Sequence, residues 1–244
     1  MIYTYTKVKE NYEHFASGKV LYGAGGMTSF PVRLASEIVQ RCFELLRKRG
    51  VEEPYSLYDP CCGGGYMLTV IGLLHGPNLS QIIASDIDSE RLQLAERNLS
   101  LLSQEGLMKR VNQLQELYRI YNKSSHQDAI HSADQLAQLV ATVNLQNITC
   151  FQADVNDCYR HESKCTHPNI IIADLPYGSL ASWKGGSDNP VEGFFESIHR
   201  IADPSSSVVA VIADKSQPLR SALFKRLQYE RIGKRHFGLF ECIR

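Results

Sequence analysis

Apolar positions along the chain change their period often enough to mark out elements. Residues 1–27 keep no sustained period. There Tyr3, Tyr5, Tyr12 and Phe15 alternate with Lys7, Lys9 and Lys19, which reads as an arm that packs on the domain or touches substrate, and Ala24-Gly25-Gly26 ends it in a flexible turn. Helical spacing then sets in. Leu34, Ile38, Cys42, Leu45 and Leu46 share one face to about Lys48, with Ser29 a candidate cap and Pro31 in the first turn. Short apolar runs and helical patterns follow in alternation: a strand at Ser56–Asp59, a helix to about His75, a strand at Gln81–Ser85, and a helix through Leu92, Ala95 and Leu99 that Asp88 caps.

Where a third strand is due, two further helical patterns appear instead. They are Leu107-Val111-Leu114-Leu117-Tyr121 and Ile130-Ala133-Leu136-Ala137-Val140, so a helical hairpin inserted over about 102–146 is expected. Strands resume at Ile148–Phe151 and at Asn169–Ala173, the latter a continuous apolar run suited to a sheet buried on both faces. A helix at about Val191–Ile201, a strand at Ser207–Ala213, a helix at about Leu219–Leu227 and a strand-like end over Ile232–Ile243 complete the reading. The pattern predicts an α/β fold of one domain over 1–244, with an N-terminal arm and helix in 1–50. Its sheet is Rossmann-like, mostly parallel and doubly wound, with an antiparallel C-terminal edge.

Composition narrows the class. At 244 residues and 43% hydrophobic the chain can build one full core. No apolar run approaches the roughly 18 residues of a spanning helix and the start lacks a secretory apolar region, so a cytoplasmic protein with no membrane partner is expected, as a monomer. The seven cysteines, an odd count without a C-x-x-C pair, read as reduced thiols. Cys158, His161, Cys165 and His167 lie close together, but their spacing matches no familiar zinc site, and no metal is expected. The formal net charge is zero, yet residues 215–244 carry eight basic and two acidic side chains. Arg231, Lys234 and Arg235 there are candidates to follow a phosphate backbone; a solvated surface is the alternative.

The chemistry centres on Asp59-Pro60-Cys61-Cys62-Gly63-Gly64-Gly65, a strand end and glycine turn opening into a helix. Such a turn lets a ligand approach backbone N–H groups closely. The glycines are consecutive, not spaced as in a dinucleotide fingerprint, and the Asp59 carboxylate would repel a pyrophosphate while holding a cationic amino group. S-adenosylmethionine fits that demand. Asp86, ending the second strand, is placed for ribose hydroxyls, and Asp154, after the third, for an adenine amino group or as a helix cap. Asp174-Leu175-Pro176-Tyr177-Gly178 ends the fourth strand. Its carboxylate and a backbone carbonyl can accept protons from a planar N–H whose nitrogen lone pair is delocalised, and Tyr177 offers a stacking face.

Together these motifs resemble those of class I S-adenosylmethionine-dependent methyltransferases. With Phe30-Pro31-Val32-Arg33-Leu34-Ala35, the double cysteine, Gly72-Leu73-Leu74-His75 and the helical insertion, the chain resembles the AviRa family of avilamycin-resistance 23S rRNA methyltransferases over nearly its whole length. The resemblance implies methylation of a guanine base, N1 ahead of N2, in 23S rRNA or the large ribosomal subunit. It implies that Asp59, Pro60, Cys61, Gly63 and Gly65 contact the amino acid part of S-adenosylmethionine. Asp86 would then meet its ribose and Asp154 with Val155 its adenine, while Phe30 and Pro31 close the pocket and Asp174, Leu175, Pro176 and Tyr177 form the base site. Leu175 replaces the first proline of the familiar (Asn/Asp)-Pro-Pro-Tyr pattern.

Competing readings are weaker. Ribose 2′-O-methylation calls for a Lys-Asp-Lys-Glu set of which only Asp174, Lys215 and Glu241 have counterparts, and cytosine C5 chemistry needs a cysteine near the fourth strand, which is absent. An N-methyltransferase for small molecules or proteins, and a non-catalytic RNA-binding ribosome-assembly factor, remain as alternatives.

Overall fold

A computed structural model describes residues 3–25, 29–165, 167–176 and 189–243, without the side chains of 157–159, 161 and 162. The elements are α1 (Val32–Lys48), β1 (Tyr55–Asp59), α2 (Tyr66–His75), β2 (Leu79–Asp86), α3 (Ser89–Ser100), α4 (Gln104–Tyr121), α5 (Ser124–Val140), β3 (Asn147–Gln152), β4 (Ile170–Asp174), α6 (Pro190–Ile201), β5 (Val208–Asp214), β6 (Phe224–Ile232) and β7 (Arg235–Cys242). A run of 3-10 turns, Val155–Lys164, joins β3 to the segment before β4. No described helix is long and apolar enough to cross a membrane.

Seven strands form one sheet in the order β3-β2-β1-β4-β5-β7-β6. β1 pairs in parallel with β2 and β4, β2 with β3, and β4 with β5, while β7 is antiparallel to both β5 and β6. The parallel strands inside the sheet are buried on both faces because alternate residues feed two cores, whereas the edge strand β3 is only partly covered. Leu57, Ile82, Ile170, Ile172 and Ala210 face the core shared with α1, α2, α3 and the α4–α5 hairpin. Tyr58, Ile83, Ile171, Ala173 and Val209 face the core shared with α6 and the 3-10 segment. Chain order reverses between β1 and β4, so the crevice beyond their carboxyl ends is the place where an open α/β sheet takes a ligand.

Two expectations need correction. No helix occupies 219–227: β6 begins at Phe224, and its ladder with β7 skips a register step between Arg226 and Gln228. That bulge puts Leu227 out of alternation, which is why local spacing imitated a helix. The C-terminal edge of the sheet is antiparallel as expected, with β7 between β5 and the edge strand β6 and antiparallel to both. Ser29 does not cap α1; Pro31 is the N-cap residue and no side chain accepts there. Asp88 does cap α3, accepting from the N–H groups of Glu90 and Arg91.

The N-terminal arm packs on the domain. Phe15, Val20 and Leu21 are buried in the first core. Glu37, fully buried on α1, accepts from the N–H groups of Thr4, Tyr5 and Thr6 at 2.8–3.0 Å and from Arg41 Nε at 2.9 Å. The inserted hairpin grips the same arm: Arg110 of α4 donates to the carbonyls of Lys19 and Val20 and stacks over Tyr22.

Candidate functional site

The glycine turn between β1 and α2 is built by side chains from three elements. Asp59, only 2% exposed, accepts from Cys61 N–H through Oδ1 at 2.9 Å. Asp86, at the end of β2, accepts from Gly63 N–H through Oδ2 at 2.8 Å and from Asp88 N–H through Oδ1 at 2.9 Å. Asn98 of α3, fully buried, donates to the carbonyls of Gly64 (2.8 Å) and Tyr22 (3.1 Å) and accepts from Tyr22 N–H at 2.8 Å. One amide thus ties the turn to the arm. A polar residue on the buried stripe Ala95-Asn98-Leu99 was the signal in the sequence that could have found it.

Two glycines are required here by conformation. Gly63 has φ +53° and Gly65, the N-cap of α2, has φ +70°. A Cβ on Gly65 would also lie 2.9 Å from Ala95 Cα on α3. Gly65 therefore combines two roles, a left-handed cap and close packing of helix on helix. Pro60 and Cys62 are buried beside it. Burial pushes the Cys62 thiol well above its ordinary value, which removes it as a thiolate nucleophile.

Asp59, Asp86 and Asp174 end β1, β2 and β4, three adjacent strands, and the charges of the outer two act on Asp59 between them. Burial raises Asp59 well above the usual carboxylate value despite the Cys61 N–H, and repulsion from Asp86 and Asp174 adds to it. A crevice lined in this way rejects phosphate and favours a cation. The donor set fits S-adenosylmethionine, whose ammonium and sulfonium groups carry the opposite charge, with the glycine turn open to close approach.

Asp174 is half-buried. Its Oδ2 lies 3.5 Å from Nη1 of Arg235, while its Oδ1 is buried with no hydrogen-bond partner among the described residues. Burial pushes this carboxyl up to about 6 against the pull of Arg235. The adjoining turn is held from β5 and β7. Leu175 N–H donates to the Ile212 carbonyl at 2.9 Å and the Pro176 carbonyl accepts from Gln217 Nε2 at 3.0 Å. His236 Nε2 donates in turn to the Gln217 carbonyl, and His236 Nδ1 accepts from the Tyr229 hydroxyl. Leu175's side chain is wholly buried, so it can offer a ligand only backbone. Gln217 and His236 reach this turn across the sheet, and no local pattern announced them.

The other expected residues fall as follows. Asp154 accepts from Asn156 N–H at 2.9 Å, the capping geometry weighed against a ligand role, and Val155 is buried in the second core. Phe30 is buried with its ring 5.6 Å from the Arg235 guanidinium; Pro31 is exposed. Arg231 and Lys234 are exposed on the β6–β7 hairpin, but Arg235 turns toward Asp174. Tyr177 and Gly178, and the side chains of Cys158 and His161, lie outside the described residues.

Residues 1–235 match the family model described as rRNA methyltransferase AviRa. The chain is 40% identical over 224 residues to the 23S rRNA (guanine(2535)-N(1))-methyltransferase of Streptomyces viridochromogenes, covering 90% of this chain and 88% of that protein. A 1.5 Å structure of rRNA methyltransferase AviRa from Streptomyces viridochromogenes superposes with a TM-score of 0.87 at 34% identity, covering 99% of this chain and 96% of the other. The Thermus thermophilus protein TrmN shares the fold at a TM-score of 0.55 and 17% identity, over 90% of this chain and 51% of its own.

Proposed function

Since the chain belongs to the AviRa family of rRNA methyltransferases, we propose that it methylates N1 of a guanine in 23S rRNA with S-adenosylmethionine as methyl donor. The observation that carries the reading is the Asp174 carboxylate. One oxygen is held beside Arg235, and the other is buried without a partner among the described residues, at the end of the strand next to the one that carries Asp59.

Asp59 and the turn Pro60, Cys61, Gly63 and Gly65 hold the amino acid part of the methyl donor. Asp86 keeps lone pairs for its ribose beyond the two N–H groups it already accepts. Asp154 and Val155 border its adenine, and Phe30 and Pro31 close the pocket from the arm side. Bound there, S-adenosylmethionine supplies an electrophilic methyl group on a sulfonium. The protein's own task is then to present a nitrogen lone pair in line and to take its proton.

Guanine N1 is amide-like, with its lone pair delocalised into the ring, so it becomes nucleophilic as its proton leaves. Asp174 Oδ1 is the acceptor, Leu175 and Pro176 supply the backbone wall beside it, and Tyr177 gives a stacking face. A base inside rRNA must be unpaired or turned out of its stack to reach this depth. The RNA backbone runs over the β6–β7 hairpin, where Arg226 and Arg231 flank the Tyr229 ring at 4.7 and 5.9 Å and Lys234 caps the turn.

The test is transfer of labelled methyl from S-adenosylmethionine to bacterial 23S rRNA, followed by nucleoside mass spectrometry. The expected product is 1-methylguanosine. Label on guanine N2, on another base or on ribose, or no label despite measurable cofactor binding, overturns the reading.

A further inference from the structure

We propose that Arg235 is a positioning residue for methyl transfer, which fixes one oxygen of Asp174 so that the other stands ready for the base proton. The proposal rests on the function proposed above. Arg235 lies in the basic C-terminal segment, whose arginines and lysines invite assignment to the RNA backbone, yet its surroundings differ from theirs. Its side chain is 21% exposed, its Nη1 lies 3.5 Å from Asp174 Oδ2, and its guanidinium lies 5.6 Å from the Phe30 ring. Arg231, four residues earlier, is exposed and faces Tyr229.

Backbone pairing sets this placement. Arg235 opens β7 opposite Asp214, the last residue of β5, and Asp174 pairs with Ile212 at the end of β4. A long side chain starting one strand beyond β5 can therefore span it to the carboxylate. Phe30 carries no charge; the charged groups at the neighbouring strand ends are the carboxylates Asp59 and Asp86 on β1 and β2 and, opposite Arg235 in the β5–β7 ladder, Asp214 with Lys234 near it. Arg235 is the charged group that pulls the Asp174 carboxyl down against its burial.

Two consequences follow for the reaction. The ion pair engages Oδ2 and leaves Oδ1 as the oxygen without a partner among the described residues, which favours approach of a guanine N1–H to Oδ1. It also favours the ionised carboxylate at a position whose burial favours the protonated one. When the proton passes from N1 to Oδ1, the N–H bonding pair remains on N1 as the nucleophilic lone pair, and the proton leaves later to solvent. A carboxyl already protonated cannot perform that step.

The experiment compares the parent with Arg235→Met and Arg235→Lys in single-turnover methylation of 23S rRNA across pH. RNA affinity, cofactor affinity and the titration of the Asp174 carboxyl carbon by NMR, assigned with Asp174→Asn, are measured alongside. Arg235→Met should move the acid limb of the rate profile and the carboxyl titration upward together by about one pH unit, giving a roughly tenfold loss on the acid side that higher pH recovers. Arg235→Lys should restore most of both, and RNA affinity should stay within about twofold of the parent, since no phosphate contact is lost. An unmoved acid limb and titration, with RNA affinity falling instead, makes Arg235 a phosphate contact and overturns the proposal. If the parent methylates no rRNA, the functional reading fails by itself. The carboxyl titration still decides whether Arg235 governs Asp174.

Discussion

At the scale of single residues, the site runs on carboxylates that differ in what surrounds them. Asp59 is buried among like charges and its native pKa lies above the unfolded value. The folded protein therefore keeps a proton that the unfolded chain gives up, and this group's contribution to stability falls as pH rises above the ordinary carboxylate value of 3.8. Binding a cation reverses the preference, so cofactor association should release a proton and tighten with rising pH. Asp59→Asn should weaken S-adenosylmethionine by about 1.5–3 kcal/mol, the scale of a charged hydrogen bond, and make the free protein melt higher at pH 8. Calorimetry in two buffers and thermal melts of the free variant check the two halves. A free variant less stable than the parent at that pH would mean the carboxylate is not held at a cost. Asp86 could be read as an acid at a strand end, but not that it also ties Gly63 and Asp88 together. Its removal should loosen the turn as well as the ribose contact.

At the scale of elements, local signals placed the helices and parallel strands well and failed where pairing across the sheet decides. The segment before β6 shows this most clearly. Leu219, Leu223 and Leu227 keep helical spacing, but Leu219 and Phe224 are buried in the second core and the ladder with β7 takes the residues from Phe224 onward. The arm was legible only as aromatic and basic. Its anchor is Glu37, a buried carboxylate of α1, with Arg33 of the same helix donating to the Thr6 and Lys7 carbonyls beside it. Burial alone would raise Glu37, but the N–H groups of Thr6 and Thr4, the Arg41 guanidinium and Tyr5 N–H pull it down to about 2. Because the native value is depressed, this stabilisation is complete above the ordinary 4.5 and is lost as pH falls toward 2. Glu37→Ala strands three N–H groups and takes one of the partners of Arg41, and should cost about 3 kcal/mol. Denaturant melts and proteolysis near Thr4–Lys7 measure it, and an arm that resists protease as the parent does argues against Glu37 as its anchor. A methyl group on Gly65 meets α3 and a left-handed cap at once, so Gly65→Ala should reduce both stability and cofactor affinity.

At the scale of the whole molecule, zero net charge conceals a separation of sign. Carboxylates gather at the ends of β1, β2 and β4, and basic side chains gather on the hairpin that finishes the sheet. A cationic methyl donor and an anionic RNA are thereby drawn to neighbouring but different surfaces. Charge reversal at Arg226, Arg231 and Lys234 should weaken RNA binding and flatten its salt dependence by about one unit of slope per lost contact, with cofactor affinity unchanged. Binding isotherms at several salt concentrations read this directly. RNA affinity indifferent to all three reversals would move the RNA to another face.

The chain by itself determined the order of strands and helices as far as β5, the inserted hairpin, the glycine turn and the acids at the strand ends. These depend on apolar period and on residues adjacent in sequence, and a parallel strand delivers its last residue to the same edge as its neighbours. Tertiary structure alone decided that β7 lies inside β6, that Asn98 joins the arm to the turn, and that Arg235 faces Asp174 while Arg231 stays in solvent. Each of these is a meeting of residues from elements separated in the chain, or the choice of one face over another. Charge, burial and hydrogen bonding at such meetings come into being only when the sheet closes.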